Sequence, residues 1–154
     1  MDNQHEKRIN RQNNYTIRVY AVIVNRRGEI LLTRESYLGM EFTKFPGGGM
    51  EWGEGALDTI QRELSEELHL ENIELEHLYT TDFFVPSFFD SSTQVISIYY
   101  KTKEPTLRDL VKLREEDEKL LGVKWIPFDQ FSEDDVTFPI DKHVAKLIRE
   151  TLQS

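Results

Sequence analysis

The segment Phe45-Pro46-Gly47-Gly48-Gly49 constrains this chain more than any other. Proline lacks a backbone donor and three consecutive glycines lack a Cβ, so regular structure is expected to break here. The same glycines let backbone come close to a ligand and expose its N–H and C=O groups. A plain turn uses them equally well. Directly beyond, Gly55 to Leu68 reads as a helix, because Leu57, Ile60, Leu64 and Leu68 recur at spacings of three and four.

That helix carries Glu63, Glu66 and Glu67, with Arg62 beside them. At about 100° per residue the three glutamates share an arc of roughly 100°. Glu63 and Glu67 border the apolar face. Like charges three and four residues apart destabilise a helix by a few tenths of a kcal/mol per pair. A bound divalent cation offsets this, since Mg²⁺ prefers carboxylate oxygens and keeps several waters. A simply solvated helix face accounts for the same glutamates without any ligand.

Around this centre the pattern is mixed. Tyr15 to Asn25 alternates, with Tyr15, Ile17, Val19, Ala21 and Ile23 on one side and Thr16, Arg18 and Tyr20 on the other. Asn25-Arg26-Arg27-Gly28 is a turn signal and Glu29 to Arg34 a second apolar strand, together a hairpin. Further strands are expected at Ile73 to Phe84, Gln94 to Thr102 and Val123 to Phe128. A closing helix is expected at Asp141 to Leu152, with Asp141 as its N-cap. There is no internal repeat and no regular βαβ alternation. A mixed sheet flanked by helices is the expected architecture.

Composition narrows the function. A chain of 154 residues with 38% apolar residues suits one compact domain, here 15–154, behind a polar tail at 1–14. No segment approaches the roughly 20 apolar residues of a membrane span, and the tail lacks the apolar stretch of a signal peptide. No membrane partner and a cytoplasmic location are expected. The absence of cysteine excludes disulfides, thiolate catalysis and Cys-based zinc sites. A formal net charge of −9 argues against a nucleic-acid partner. A small phosphorylated substrate stays open, because a metal ion can supply positive charge locally.

Taken together, Gly48-x5-Glu54-x7-Arg62-Glu63-Leu64-x-Glu66-Glu67 resembles the box that defines the Nudix (MutT-like) hydrolases. That signature runs Gly, five residues, Glu, seven residues, then Arg-Glu-aliphatic-x-Glu-Glu-x-Gly-aliphatic, and all spacings agree. His69 stands at the final Gly, followed by Leu70. That position closes the helix in a left-handed conformation, which His tolerates better than most side chains. Phe45-Pro46-Gly47-Gly48 resembles the family's approach to the box with shortened spacing. Trp125-Ile126-Pro127-Phe128-Asp129 resembles its late strand and turn. The likeness spans most of Ile17 to Phe131.

The resemblance implies an α/β/α sandwich and water attack on a phosphoanhydride of a nucleoside diphosphate linked to another group, assisted by Mg²⁺ or Mn²⁺. Carried over position by position, Glu66 and Glu67 are the principal metal ligands and the Gly47 carbonyl an additional one. Glu63 is a ligand or the base, and Arg62 orients the carboxylates. Glu54 supports the helix start. An acidic residue outside the box, Glu118 or Glu116 of the run Glu115 to Glu118, joins the metals or simply faces solvent. Arg18, Arg34 and Lys44 are candidate phosphate contacts or ordinary surface charges. Phe84, in the stretch Phe83, Phe84, Phe88 and Phe89, is a candidate base-stacking residue; core or homodimer contact is the other reading. Trp52 sits in the variable part of the box.

A second class of function is a non-catalytic nucleotide-sensing domain of the same fold. Such domains often lose a box glutamate, whereas this chain keeps Glu63, Glu66 and Glu67. Isopentenyl diphosphate isomerases of this fold are expected to use a cysteine, and none exists here. RNA decapping is disfavoured by the acidic balance. The expected partner is a small nucleoside diphosphate derivative.

Overall fold

The structure, a computed structural model, describes residues 13–105 and 120–151. Most of the tail expected at 1–14 lies outside the described residues, as do Glu115, Glu116 and Glu118. The strands are β1 Asn14–Val22, β2 Glu29–Tyr37, β3 Met40–Lys44, β4 Gly47–Gly49, β5 Leu75–Thr80, β6 Thr93–Thr102 and β7 Leu120–Pro127. The helices are α1 Ala56–Leu68 and α2 Pro139–Thr151, the latter preceded by a 3₁₀ turn at Glu133–Asp135. One sheet has the order β4-β1-β6-β5 and the other β3-β2-β7. The β1–β6 pairing is parallel and the rest antiparallel. The expected α/β class with mixed pairing is present, its strands shared between two sheets.

The first hairpin closes at its tip and then opens. Asn25 Oδ1 accepts from the N–H groups of Arg27 and Glu29 at 3.0 and 2.9 Å, and Gly28 sits at φ 72°. A single bridge pairs Val24 with Ile30, after which β1 and β2 enter different sheets. Burial explains the divergence. Residues Val19 to Ile23 are buried on both faces of β1. Val19, Ala21 and Ile23 pack with Leu31 and with Ile60, Leu64 and Leu68 of α1. Tyr20 and Val22 pack with Phe45, Tyr99 and Phe131 and with Val144 and Ile148 of α2. The alternation expected from Tyr15 onward therefore gives way: both faces are apolar in the middle, and Tyr15 is exposed at the end. Each helix covers one of the two cores.

Three local readings change. Leu57, expected on the apolar face of α1, is exposed, and Thr59 is buried in its place. Its hydroxyl donates to Gly55 O and Glu54 Oε1, both at 3.1 Å. The glycine segment does not simply break structure, since Gly47–Gly49 forms the edge strand β4. The third change concerns Asp141, which is not an N-cap. The helix begins at Pro139, whose fixed φ suits a first helical position. Asp141 lies in the first turn, buried, and accepts from the Tyr99 hydroxyl at 2.6 Å. As expected, His69 closes α1 in a left-handed conformation at φ 54°, its N–H on Ser65 O at 3.1 Å.

Burial pushes the Asp141 carboxyl up to about 6. An unfolded aspartate titrates near 3.9, so Asp141 contributes stability at acid pH that is lost as pH rises from about 4 to about 6. Tyr99→Phe removes the hydroxyl that satisfies this carboxylate and is expected to cost about 2 kcal/mol at neutral pH. Urea unfolding checks this, and a loss below about 0.5 kcal/mol contradicts it. Among the described residues no helix is long and apolar enough to cross a membrane.

Candidate active site

Backbone contact between β4 and β1 sets the geometry. Tyr20 pairs with Gly47, Val19 with Gly48 and Arg18 with Gly49. At Gly47, φ is 146°, and a Cβ would fall 2.1 Å from Val19 O. At Gly48 a Cβ would fall 2.5 Å from Glu63 Oε1. The first glycine lets two strands touch, and the second leaves room for a carboxylate. These two positions predict different failures. Gly47→Ala meets rigid backbone and is expected to destabilise by about 3 kcal/mol. Gly48→Ala meets only the flexible end of Glu63. It is expected to cost under about 1 kcal/mol in stability while displacing that carboxylate and lowering activity about 10²-fold. Thermal melts beside rate measurements separate the two, and equal Tm losses would refute the distinction.

Arg62 ties the glycine strand to the helix. Its Nε and Nη2 fork onto Glu54 at 2.6 and 3.0 Å. Nη2 also donates to Gly49 O at 3.0 Å, and Nη1 to Glu63 Oε1 at 3.1 Å and Glu66 Oε2 at 3.4 Å. Glu54 further accepts from the Glu51 N–H and the Thr59 hydroxyl. The Arg62 hydrogen bonds, above all, hold the Glu54 carboxyl down to about 2. Glu54 is thus a structural anion that anchors the arginine.

The three glutamates of α1 have distinct surroundings. The Glu66 side chain is 49% exposed, whereas that of Glu63 is 12% exposed and lies against Gly48. Glu67 is more extreme: its Oε2 is buried without a hydrogen-bond partner. Burial pushes its carboxyl up to about 8; Lys44 pulls it back, while Glu35, Glu63 and a side-chain hydrogen bond with Glu63 push it further. Among the described residues no three acidic or histidine side chains already converge at metal-ligand spacing. The donor set nevertheless fits a hard divalent cation: it is all oxygen and anionic, and it includes a buried carboxylate oxygen lacking a partner.

Beside this cluster lies a cavity of 690 Å³. Its walls are aromatic: Phe42, Phe83, Phe84, Phe88, Phe89 and Phe138 all line it. The Phe42–Phe138 and Phe88–Phe138 ring centroids are 4.8 and 5.2 Å apart. The polar lining includes Arg18, Glu35, Lys44 and Asp141. No α1 glutamate belongs to it. Arg18 and Lys44 stand between the two regions. Arg18 Nε donates to the Tyr20 hydroxyl at 2.6 Å, and its charge is felt by both Glu63 and Glu35. Lys44 is buried, with its Nζ 2.7 Å from Glu35 Oε2.

The candidate residues are thus distributed unevenly. Arg18, Lys44 and Phe84 line the cavity. Arg34 is exposed and lies outside it, because its neighbours Thr33 and Glu35 take the inward positions of β2. The Gly47 carbonyl accepts from Lys44 Nζ at 3.1 Å. Trp52 is fully exposed. Sequence reading missed Glu35, Phe42, Phe138 and the inward-facing Asp141. The first two depend on β3, whose turn at Leu38-Gly39 has φ values of 50° and 76°. Consecutive positive φ values mark a tight hairpin, for which Leu-Gly is a faint signal.

Comparison with known proteins adds the following. The NUDIX domain family model matches residues 14–148. A MutT protein from Methanosarcina mazei Go1 superimposes with a TM-score of 0.74 at 22% identity, over 93% of this chain and 99% of that one. The ORF135 protein of E. coli gives 0.68 at 18% identity, over 91% and 94%. The dihydroneopterin triphosphate pyrophosphohydrolase of E. coli gives 0.68 at 16% identity, over 89% and 98%. At these identities the structural likeness speaks for the fold. No curated protein matches the sequence.

Proposed function

Because the chain belongs to the NUDIX domain family, we propose that it is a divalent-metal-dependent pyrophosphohydrolase acting on a nucleoside diphosphate linked to a further group. The observation that carries this reading is the buried, unpartnered Glu67 Oε2 beside Glu63 on α1. Such a carboxyl must hold a proton or be joined by a cation, and a divalent ion is what lets it ionise at neutral pH. A structural neighbour bears the name of a triphosphate pyrophosphohydrolase, which agrees with the reaction class.

Glu63, Glu66 and Glu67 are the residues that would hold Mg²⁺ or Mn²⁺. Such an ion, when bound, supplies charge neutralisation at the phosphates and acidifies water. The chain's own groups do the rest. Arg62 fixes Glu63 through Oε1 and Glu66 through Oε2. Glu63 lies close enough to Glu67 to help push its carboxyl up, and Glu63 is assigned as the acceptor of the water's proton. Arg18 and Lys44, which line the cavity, are the cations assigned to the phosphate chain. The aromatic walls stack the base or the second group, with Phe84 at the exposed rim.

The test is product release from a panel of nucleoside diphosphate derivatives, with Mg²⁺, with Mn²⁺ and with neither. Release that requires metal and favours one class of compound is expected. Nucleotide binding without any release assigns the chain to the sensing class instead.

A further inference from the structure

The aromatic cavity is lined by a buried hydroxyl that the fold does not use. Ser97 shares a face of β6 with Val95, and β1 runs beside it in parallel register, Thr16 against Val95 and Arg18 against Ser97. All four residues line the cavity. Ser97 is 1% exposed, and its Oγ is buried without a hydrogen-bond partner among the described residues. Its backbone is fixed: the Ser97 N–H donates to Thr81 Oγ1 at 3.0 Å, and Ser97 O accepts from the Thr81 N–H at 2.9 Å. Other polar side chains of the lining are engaged. Arg18 donates to the Tyr20 hydroxyl, Lys44 pairs with Glu35, and Asp141 accepts from the Tyr99 hydroxyl. A buried hydroxyl left unpaired is costly, so Ser97 marks a place where a ligand atom completes the hydrogen bond.

We infer that Ser97 is a specificity-determining residue: the cavity takes the nucleobase with its ring faces on the phenylalanine walls and its edge hydrogen-bonded to the Ser97 hydroxyl. This rests on the reading that the substrate is a nucleotide. A base has apolar faces and a polar edge, which match Phe42, Phe84, Phe88 and Phe138 around a buried free hydroxyl. A sugar in the same place would turn its own hydroxyls onto phenyl carbon and leave them unpaired. An alkyl group would leave Ser97 unpaired. A serine hydroxyl both donates and accepts, so it pairs with a carbonyl oxygen, a ring nitrogen or an amino group of the base edge. The sheet order gives the ligand its direction. In β4-β1-β6-β5, Ser97 lies one strand beyond Arg18, about 4.8 Å further from the glycine strand. Arg18 thus meets phosphate on the near side, and Ser97 meets a part of the ligand farther from the α1 glutamates.

The test is calorimetric binding of AMP, GMP, CMP, UMP and ribose 5-phosphate, in Mg²⁺ buffer, to the unmodified protein and to Ser97→Ala. None of these probes contains a phosphoanhydride, so binding is read without turnover. The unmodified protein is expected to bind its preferred nucleotide about 10-fold or more tightly than ribose 5-phosphate, which lacks a base. Ser97→Ala is expected to weaken that nucleotide about 10-fold and ribose 5-phosphate not at all. Its Tm is expected to hold, because no hydrogen bond within the protein is lost. Equal weakening of both probes would assign the hydroxyl to sugar or phosphate and overturns the inference, as does unchanged nucleotide binding or binding of no probe. A Tm loss of several degrees, or a variant that does not fold, overturns it too, since the hydroxyl then serves the fold. Metal-dependent product release beside any of these results leaves the hydrolase reading standing. Base binding that depends on Ser97, in a chain that releases no product, upholds the base site and removes the hydrolase reading alone.

Discussion

Glu67→Gln is expected to lower turnover about 10³-fold and, in metal-free buffer at pH 8, to raise the melting temperature. The first effect follows from losing an anionic oxygen at the buried end of the α1 cluster. The second follows from the same burial. In the folded protein Glu67 holds its proton up to about pH 8, whereas an unfolded glutamate releases it near 4.3. Between those values the folded state binds more protons than the unfolded one, so stability falls as pH rises through this window. Glutamine is nearly isosteric and carries no charge, so this decline disappears from the variant. A divalent ion compensates the same charge, and Mg²⁺ is expected to raise the Tm of the unmodified protein more at pH 8 than at pH 6. Near-full activity of the variant, or a lower metal-free Tm at pH 8, would remove Glu67 from the assigned role.

Arg62→Met is the second large effect expected. The guanidinium connects Glu54, Glu63, Glu66 and the Gly49 carbonyl. It therefore acts through the carboxylates and not on the substrate. Its loss is expected to lower kcat and the apparent affinity for Mg²⁺, the activity falling about 10²-fold, with KM for the nucleotide at saturating metal little changed. Arg62→Lys is expected to fail as well, because an ammonium cannot span Glu54 with two parallel donors while reaching two further acceptors. A variant whose KM rises while kcat holds would make Arg62 a substrate contact. Recovery of full activity by lysine would show that only the charge matters.

How much of this was legible before the structure depends on the range of the interaction. The helix α1 and its left-handed end at His69 follow from local spacing and local φ preference. The assignment of Glu54 to support of the helix was also legible, because its partners Arg62, Glu51 and Thr59 lie within eight residues. The face of α1 was misread at Leu57 because the helix start is fixed by Glu54 and Asp58 contacts, which draw Thr59 inward. The β1 pattern was misread because two cores bury both sides of one strand, and period-two reading assumes one buried face. The cavity was hardest. It joins β1, β2, β3, the segment around Phe88 and the start of α2, and nothing in the sequence pairs Phe42 with Phe138 or Tyr99 with Asp141. The Glu35–Lys44 ion pair is likewise a product of a hairpin whose turn carries little signal.

The most direct test of the account is hydrolysis of the best nucleoside diphosphate derivative in H₂¹⁸O, with products resolved by mass spectrometry. One ¹⁸O atom is expected on a phosphorus of one product, with the P–O bond to the other product broken. Label incorporation is expected to stop when the metal is chelated and to fall to near background in Glu67→Gln. Label on a carbon atom, or incorporation that continues undiminished without divalent metal, would contradict the central claim that the glutamates of α1 support metal-dependent attack of water on a phosphoanhydride.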